Sequence, residues 1–529
     1  MKDDNNDYKV IFIGLDGATW NIIEKGINNY NLKTFKKLVE NGAWGKLKST
    51  IPPISPSAWT SIFTGVNPGK HNIFGFVKEE EDTHFLIPIL SKDRKCKPIW
   101  KIVSENGKRV IAMNIPFSYP PDKVNGIMCS GLGAPSVNSN FTYPLSFRDT
   151  ILKKFPDFDV DFDEELLSDK QNEFINKIKK VTKAEIKLCK YLLESEDWDL
   201  FIFVFRALDV VQHFFWDRVD IIFEFYKIFD NLLEYIIETI INKNENIILF
   251  ICSDHGFNDL HTLIYINNWL DSLGLFIYKK NDRDIKNRNI KAEQIQKILL
   301  KLGFKRFVGV LKRNRILRLL LRIVPSESME YIYKVDWSKT KAYFSEASYG
   351  IHINTNITSI EYKYIEEHII NEAHKLVDPT TRERVIKKIY KKEELYHGKY
   401  VKDGPDIILL KKEGYRLVGK YNKYGDIFVK SLRETGDHNE EDGILIIYGK
   451  DIKKGLNIVD VNVYNILPTI LYILNIPIPL YVDGHPMNIF NKNSKLIMKN
   501  IRHKDHKSEK EIIKRKIKTL KFKNIFNNR

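Results

Sequence analysis

Cysteine is scarce in this sequence, and the four cysteines stand far apart. They form no CxxC pair; they are Cys96, Cys129, Cys189 and Cys252. This spacing excludes a thiolate zinc site and a disulfide-stabilised scaffold, because both require closely paired cysteines. It favours a reducing compartment.

The sequence also lacks an uninterrupted apolar stretch of the length that a bilayer requires. A membrane-spanning helix needs about 20 consecutive apolar residues, whereas the longest run, residues 461–482, is interrupted by Pro468, Pro477 and Pro479. The first seven residues are acidic and polar and lack the apolar centre of a signal peptide. We therefore expect a cytoplasmic protein without a transmembrane segment.

The composition excludes global disorder, since hydrophobic residues make up 43% and aromatic residues 12% of the 529 positions. The net charge of +16 is unevenly distributed. Residues 491–529 carry 14 Lys and Arg against 3 Asp and Glu, which leaves only +5 for the first 490 residues. The basic character therefore belongs mainly to a C-terminal tail, which could contact an anionic polymer or a membrane surface.

Short apolar runs that end in polar turns predict buried strands. The four clearest runs are Val10–Leu15, Asp199–Phe205, Ile247–Cys252 and Gly443–Tyr448. Runs that are apolar on both faces are typical of parallel strands, and helical patterns lie between them, for example over residues 175–193 and 222–241. The alternation predicts an α/β fold whose mostly parallel central sheet has helices on both faces.

A change in amino-acid composition divides this predicted fold into parts. Residues 279–335 are rich in Lys and Arg, and Arg313 to Val324 reads as a basic amphipathic helix. We interpret residues 279–335 as an inserted basic helical cap between two parts of one catalytic core, residues 8–278 and 336–490. Residues 491–529 form the basic tail.

Acidic and imidazole side chains follow three of the predicted strands. Asp16, Asp209 and the pair Asp254 and His255 stand at strand ends, where ligands bind in open α/β sheets. His213 lies four residues after Asp209, on the same side of a helical turn. A further imidazole, His438, arrives in a turn before the Gly443 strand. Mixed Asp and His ligand sets suit zinc or manganese and suit calcium poorly.

A hydroxyl-rich segment supplies a candidate nucleophile. Residues 52–61, with the sequence PPISPSAWTS, precede a predicted helix, and Ser55 and Ser57 are the alternatives within it. A serine at a helix start is a plausible nucleophile, because the helix N-terminus favours a developing anion and a bound metal depresses the hydroxyl pKa. Trp59 is expected to be a packing residue.

Together these motifs resemble the alkaline phosphatase superfamily, and more closely its type I phosphodiesterase/nucleotide pyrophosphatase branch. The resemblance rests on five motifs in order along residues 8–490: Asp16-Gly17, Ser55 before Ala58-Trp59-Thr60-Ser61, Asp209-x-x-x-His213, Ser253-Asp254-His255-Gly256 and Gly436-x-His438. The register of these motifs favours Ser55 over Ser57.

The resemblance implies a two-metal hydrolase of phosphodiester or pyrophosphate bonds, with zinc as the expected ion and manganese as the alternative. One ion would be held by Asp209, His213 and His438. The other would be held by Asp16, Asp254, His255 and the Ser55 hydroxyl. Ser55 would be the catalytic nucleophile and would form a phosphoseryl intermediate with a small phosphate-ester substrate.

The sequence departs from the branch at two positions and leaves two other functions open. Ser55 stands where the branch commonly has a threonine. Phe76 falls where the branch usually has an asparagine that holds a phosphoryl oxygen. A phosphomonoesterase or phosphomutase of the same superfamily is the first alternative. The second is a non-catalytic protein that binds anionic polymers on a hydrolase scaffold. The segment Ser55-Pro56-Ser57-Ala58 lacks the arginine of the sulfatase motif, which makes a sulfatase an unfavourable interpretation.

Overall fold

The structure, a computed structural model, describes residues 8–80, 84, 86–162, 171–279, 334–354, 357–497 and 499–504. Within these residues the strands, in chain order, are β1 (Lys9–Leu15), β2 (Ala43–Lys48), β3 (Val77–Glu79), β4 (Leu86–Pro88), β5 (Val110–Ile115), β6 (Gly126–Ser130), β7 (Thr142–Tyr143), β8 (Leu200–Phe205), β9 (Ile247–Cys252), β10 (Gly256–Tyr265), β11 (Ala342–Ser345), β12 (Gly350–Ile353), β13 (Ile386–Lys391), β14 (Ile407–Lys411), β15 (Gly414–Val418), β16 (Phe428–Lys430), β17 (Gly436–Asn439), β18 (Gly443–Tyr448), β19 (Leu456–Asn457), β20 (Val461–Asn462), β21 (Ile478–Pro479) and β22 (His503–Lys504).

The helices of the same residues are α1 (Trp20–Asn29), α2 (Lys33–Asn41), α3 (Ser55–Thr64), α4 (Pro68–His71), α5 (Ile99–Glu105), α6 (Phe147–Lys154), α7 (Gln171–Ser195), α8 (Ala207–Phe215), α9 (Val219–Tyr235), α10 (Ile266–Ser272), α11 (Ser359–Ala373), α12 (Lys392–Leu395) and α13 (Ile466–Ile473). A π-helical turn, Ile236–Ile241, extends α9. No described helix is both long enough and apolar enough to cross a membrane.

Ten of the described strands form the central sheet, in the order β19-β2-β18-β9-β1-β8-β5-β6-β7, with β20 also paired to β2. The five strands from β9 to β6 run parallel to one another. The predicted α/β fold with a mostly parallel central sheet is confirmed.

Alternating side chains of the strands bury two faces of this sheet. In β1, Ile11 and Ile13 enter an apolar cluster with α1, α2, α7, α8 and α9. The intervening Val10 and Phe12 enter a second cluster with α3, α5 and α13. Because both faces are covered by helices, the central strands consist of nearly continuous apolar residues.

The direction of one predicted strand was wrong. The run Gly443–Tyr448 suggested a parallel strand, but β18 is antiparallel to both of its neighbours, β9 and β2. A run that is apolar on both faces reports burial on both faces, and it carries no information on strand direction. The reversed direction has a functional consequence, because β18 begins at the edge of the sheet where its parallel neighbours end.

Residues between β9 and β18 build a second layer with its own apolar core. One sheet has the order β11-β12-β14-β13, and another has the order β15-β10-β16 with β17 paired to β10. Their shared cluster includes Trp269, Phe344, Ile369 and Leu409. Strand β11 belongs to the first of these two sheets.

The predicted cap and tail lie mostly outside the described residues. Of residues 279–335, only Lys279, Lys334 and Val335 are described, and the Arg313–Val324 helix is not among them. The backbone N–H of Lys279 donates to the carbonyl of Lys334 at 2.7 Å, so the two ends of the predicted insertion meet. The first part of the predicted tail packs on the core, since Leu496 is fully buried in the second apolar cluster.

Candidate metal centre and active site

Carboxylates and imidazoles gather at the carboxyl edge of the central sheet. Asp16 follows β1 directly, and Asp254 with His255 connects β9 to β10. Asp209 and His213 lie in α8, which begins immediately after β8. Since β8, β1 and β9 are parallel neighbours, their ends place these five residues together.

Two further residues reach the same edge by different routes. His438 lies in β17, which a connection of three residues joins to β18. Because β18 is antiparallel to β9, it begins at this edge of the sheet, and His438 therefore lies at the site. Ser55 is the first residue of α3 and is buried, and its Oγ lies 3.2 Å from His255 Nε2. All seven residues predicted from the sequence are therefore neighbours in the structure.

The first group of potential ligands is Asp209, His213 and His438, whose ligand atoms all lie within 4.8 Å of one another. His438 Nε2 lies 3.2 Å from Asp209 Oδ1, and His213 Nε2 lies 3.4 Å from the same oxygen. The two Nε2 atoms are 2.9 Å apart. Tetrahedral zinc with bonds of about 2.0–2.1 Å separates its ligand atoms by about 3.3 Å, so the group has suitable dimensions.

The second group surrounds His255. Its Nε2 lies 3.2 Å from Asp254 Oδ2 and 3.7 Å from Asp16 Oδ1. Asp209 also belongs here, because Asp16, Asp209 and His255 have ligand atoms within 4.8 Å of one another. The rings of His255 and His438 stack with centroids 3.7 Å apart, so the two groups are adjacent.

Backbone carbonyls orient two of the imidazoles. His255 Nδ1 lies 3.1 Å from the carbonyl oxygen of Gly256, and His438 Nδ1 lies 3.0 Å from that of Pro53. In the neutral ring the N–H at Nδ1 donates to the carbonyl, so the lone pair at Nε2 points into the site. This is how metal-binding histidines are commonly oriented.

The site contains more buried acceptors than donors. Asp16 Oδ1 and Asp254 Oδ2 are buried without a hydrogen-bond partner. Both oxygens face the Nε2 atom of His255, which is itself an acceptor in the orientation described above. Unpaired acceptors in a dry site are costly, and a cation bound between them would satisfy all three. The residues therefore fit a divalent metal centre.

Burial and charge repulsion raise the pKa values of two carboxyl groups, Asp16 and Asp254, and lower those of two imidazoles, His255 and His438. Burial, followed by repulsion from Asp254, raises the pKa of Asp16 well above its usual range. Burial, followed by repulsion from Asp209, raises the pKa of Asp254 to about 7. Burial lowers the pKa of His255, and burial with repulsion from His255 lowers the pKa of His438 to about 3. These shifts favour neutral imidazoles at His255 and His438, as metal ligation requires.

The pKa of Asp209 is lowered, in contrast to those of Asp16 and Asp254. Burial alone would raise it, but charge interaction with His213 and hydrogen bonds to His213 and His438 outweigh burial and hold the pKa well below its usual range. Asp209 is therefore an ionised carboxylate next to both ligand groups.

Two neighbours of Asp16 make its position possible. Gly17 adopts a left-handed conformation with φ 70°. A Cβ there would also lie 3.1 Å from the Cα of Asp209, so a side chain would separate α8 from the β1 turn. The indole N–H of Trp59 donates to Asp16 Oδ2 at 3.0 Å. Trp59, predicted only as a packing residue, is buried and also orients a carboxylate.

Two other residues near the site have defined partners. Arg206, at the start of α8, is buried, and its Nη1 donates to Asp161 Oδ1 at 2.6 Å. Phe76 packs edge-on against Phe117 with centroids 5.3 Å apart and lies 6.2 Å from the ring of Tyr349. The position where the resemblance leads one to expect an amide is thus part of an aromatic cluster.

Sequence reasoning missed a charged network directly behind the imidazoles. Arg416 in β15 and Lys411 in β14 both pair with Asp437, the residue before His438, at 2.8 Å and 2.9 Å. Attraction to these two cations outweighs burial and keeps the pKa of Asp437 far below its usual range. Arg416 stands in an ordinary strand sequence, GYRLV, which contains no signal of a site.

The fold is similar to solved structures of two enzymes. Murine ectonucleotide pyrophosphatase/phosphodiesterase 5 aligns with a TM-score of 0.51 at 13% identity, over 90% of this chain and 96% of that chain. An inactive form of it in complex with AMP gives a TM-score of 0.51 at 14% identity, over 90% and 97%. Phosphonoacetate hydrolase from Sinorhizobium meliloti 1021, in complex with phosphonoformate, gives 0.53 at 14%, over 89% and 95%. At these identities the similarity concerns the fold alone.

The family of the chain follows from its sequence. No curated protein sequence matches it significantly. Residues 10–440, however, match the family model described as type I phosphodiesterase/nucleotide pyrophosphatase. This range covers most of the chain and includes all seven residues of the site, and the resemblance predicted from the motifs is confirmed. The chain belongs to the type I phosphodiesterase/nucleotide pyrophosphatase family.

Proposed function

We propose that this chain is a two-metal hydrolase of phosphodiester or pyrophosphate bonds that acts through a phosphoseryl intermediate on Ser55. Family membership supports a hydrolase of the phosphodiesterase and pyrophosphatase type. The observation that supports the finer mechanism is the position of the Ser55 hydroxyl, 3.2 Å from His255 Nε2 within a cluster of buried, unpaired acceptors.

In this proposal the first group holds one divalent ion through Asp209, His213 and His438. The second group holds another through Asp16, Asp254, His255 and Ser55. Zinc is the expected ion, because neutral imidazole and carboxylate ligands suit it, with manganese as the alternative. When bound, such ions neutralise the phosphoryl charge and lower the pKa of a bound hydroxyl.

The protein's own residues then provide a nucleophile and its orientation. Ser55 Oγ, once its proton has passed to solvent, attacks phosphorus, and the bond from phosphorus to the leaving oxygen breaks. The start of α3 stabilises the negative charge near Ser55. Water then attacks the phosphoseryl group, which restores the serine hydroxyl and releases the phosphorylated product.

The substrate class is tested by comparing two chromogenic esters. With zinc present, we expect kcat/KM on bis-p-nitrophenyl phosphate to exceed that on mono-p-nitrophenyl phosphate by at least tenfold. A clear preference for the monoester would instead support the phosphomonoesterase or phosphomutase alternative. Absence of turnover on both esters and on nucleotide diesters would support the non-catalytic alternative.

Metal removal should reduce activity and stability together. In the metal-free site the carboxylates of Asp16, Asp209 and Asp254 repel one another, and a bound ion relieves this repulsion. Dialysis against a chelator should abolish diester hydrolysis and lower the midpoint of thermal unfolding followed by circular dichroism. Saturating zinc, at 100 times its Kd, should restore about 2.7 kcal/mol of stability per site. An unfolding midpoint that does not respond to zinc would contradict the metal centre.

The proposed contact of the basic tail with an anionic polymer is tested by a truncation that leaves the core intact. Because Leu496 is buried in the core, removing residues 491–529 would expose apolar surface and disturb the fold. Truncation after Lys504 keeps this packing and removes residues 505–529. We expect diester hydrolysis to persist in this shorter chain, while salt-sensitive binding to heparin decreases.

A further inference from the structure

The ring of Phe257 packs against all three imidazoles of the proposed metal centre. Its centroid lies 4.8 Å from that of His213, 5.3 Å from that of His438 and 6.0 Å from that of His255. Aromatic rings interact favourably over such distances. His213 and His438 belong to the first group of potential ligands and His255 belongs to the second, so one side chain contacts both groups.

The pairing of two strands places this ring beside His438. Phe257 is the second residue of β10, and in the antiparallel pair of β10 and β17 it stands directly opposite His438. Side chains of opposite residues in such a pair lie on the same face of the sheet and interact. The register that pairs β17 with β10 therefore also aligns His438 with Phe257.

Two glycines leave space for the ring. A Cβ at Gly17 would lie 3.1 Å from Cδ2 and Cε2 of Phe257, and a Cβ at Gly436 would lie 3.1 Å from its Cε1. These distances are shorter than an ordinary contact between carbon atoms, so a side chain at either position would displace the ring. Gly17 directly follows Asp16, and the ring therefore also borders the turn that carries this carboxylate.

The ring is enclosed on the side of α8 as well. Phe257 is fully buried, and the indole of Trp216 stacks against it with centroids 5.8 Å apart and an interplanar angle of 28°. The backbone N–H of Trp216 donates to Thr435 Oγ1 at 2.8 Å, which fixes Trp216 to the chain just before Gly436. Because a close-packed interior restricts its side chains, the enclosed ring in turn restricts the imidazoles that pack on it.

We propose that Phe257 is a positioning residue whose ring holds the two ligand groups at a fixed separation. The role follows from packing and requires no particular protonation state of any imidazole. Ligands whose rotamers are locked by packing lose less conformational freedom when an ion binds. Without the ring, the ion itself would have to order the three imidazoles, and its affinity would fall. The inference rests on the proposed function, because it takes the imidazoles to be metal ligands.

Phe141 provides a matched control for the loss of a buried aromatic ring. It is fully buried like Phe257, and its ring stacks on that of Phe158 with centroids 6.1 Å apart. It directly precedes β7, the end strand of the central sheet, and three strands separate β7 from β1. Phe141→Leu and Phe257→Leu should both lower the free energy of unfolding of the metal-free chain, whereas only Phe257→Leu should change metal binding.

Zinc affinity, measured on the folded chain by competition with a chromophoric chelator, tests the proposal. Phe141→Leu should bind zinc like the wild type. Phe257→Leu should bind both ions more weakly, by about 10- to 100-fold, the usual effect of losing a residue that orients a metal ligand. Wild-type affinity in Phe257→Leu, or an equal loss in Phe141→Leu, would overturn the proposal. If Phe257→Leu does not fold, Phe257→Met, which keeps a long apolar side chain without a ring, should show the same loss.

Two backgrounds with a single intact group show whether the ring serves both groups. His213→Asn leaves the second group intact, and His255→Asn leaves the first. Adding Phe257→Leu to either background should weaken the remaining zinc about tenfold. A loss confined to one background would refute the common role.

The wild type distinguishes failure of this inference from failure of the proposed function. Zinc binding without hydrolysis of any phosphate ester would count against the proposed function, while the affinities of the variants would still decide the role of Phe257. A wild type that binds no zinc or other divalent ion would overturn both.

Discussion

Replacing Ser55 with alanine should lower kcat/KM for bis-p-nitrophenyl phosphate on the order of 10³-fold or more, because the proposed covalent step loses its nucleophile. Metal content should change little, since the carboxylate and imidazole ligands of the second group remain. The measurement combines initial rates at saturating zinc with metal analysis of the purified variant. Full activity in Ser55→Ala would exclude a phosphoseryl mechanism at this residue.

Ser57 supplies the matched control for this experiment. It lies one residue beyond Pro56 in the same helix and is buried like Ser55, with 2% of its surface exposed against 4%. The hydrogen bond from the segment to His255 comes from Ser55. Ser57→Ala should therefore retain most of the wild-type activity. The reverse pattern, with Ser57 essential and Ser55 dispensable, would show that the register of the motif had been assigned wrongly.

The second large effect is expected at a buried carboxyl group outside the metal centre. Glu185 lies in α7 with 2% of its surface exposed. Its Oε1 accepts from Asn114 Nδ2 at 2.8 Å, while Oε2 has no partner. Burial outweighs attraction to Arg206 and the hydrogen bond from Asn114, and raises the pKa of Glu185 to about 8. The folded protein thus holds this proton at pH values where an unfolded chain has lost it.

This difference predicts a loss of stability as pH rises. Below about pH 4.5 Glu185 is protonated in both states and imposes no cost. Between about pH 4.5 and 8 only the unfolded state releases the proton, so the free energy of unfolding falls, by on the order of 5 kcal/mol over the whole interval. Glu185→Gln removes this titration. The variant should equal the wild type near pH 5 and exceed it by several kcal/mol at pH 9.

Urea unfolding at pH 5, 7 and 9 measures this effect directly. Glu24→Gln, an exposed position on α1, is the control for removing one negative charge, and it should follow the wild type at each pH. If wild type and Glu185→Gln lose stability in parallel between pH 5 and 9, Glu185 is ionised in the folded protein and the prediction is wrong.

Much of the central sheet was predictable because a strand that is buried on both faces is a short, continuous run of apolar residues in the sequence. The runs at Val10–Leu15 and Ile247–Cys252 match β1 and β9 within one residue, and the helical pattern over residues 175–193 lies inside α7. The apolar pattern is the same for parallel and antiparallel strands, so β18 was assigned the wrong orientation.

The candidate ligands were predictable for a different reason. Asp16 and Asp209 stand where strands end, and parallel strands bring such ends to a common edge whatever separates them in sequence. That they and the other five residues act as metal ligands or nucleophile stays a prediction, which the structure supports by placing them together. Arg416 could not be predicted, because its strand resembles any half-buried strand and only the packing of the second layer brings it to His213.

The sequence by itself determined the family, the α/β class and the residue types available at the sheet edge, since each depends on local pattern and order. Tertiary structure alone decided which side chains meet. In the tertiary structure β18 is antiparallel to β9, and His438 lies beside Asp209. The indole of Trp59 donates to Asp16, and Arg416 contacts both Gly436 and His213. These are contacts between residues far apart along the chain, and their energies depend on distance in space, which a linear sequence does not record.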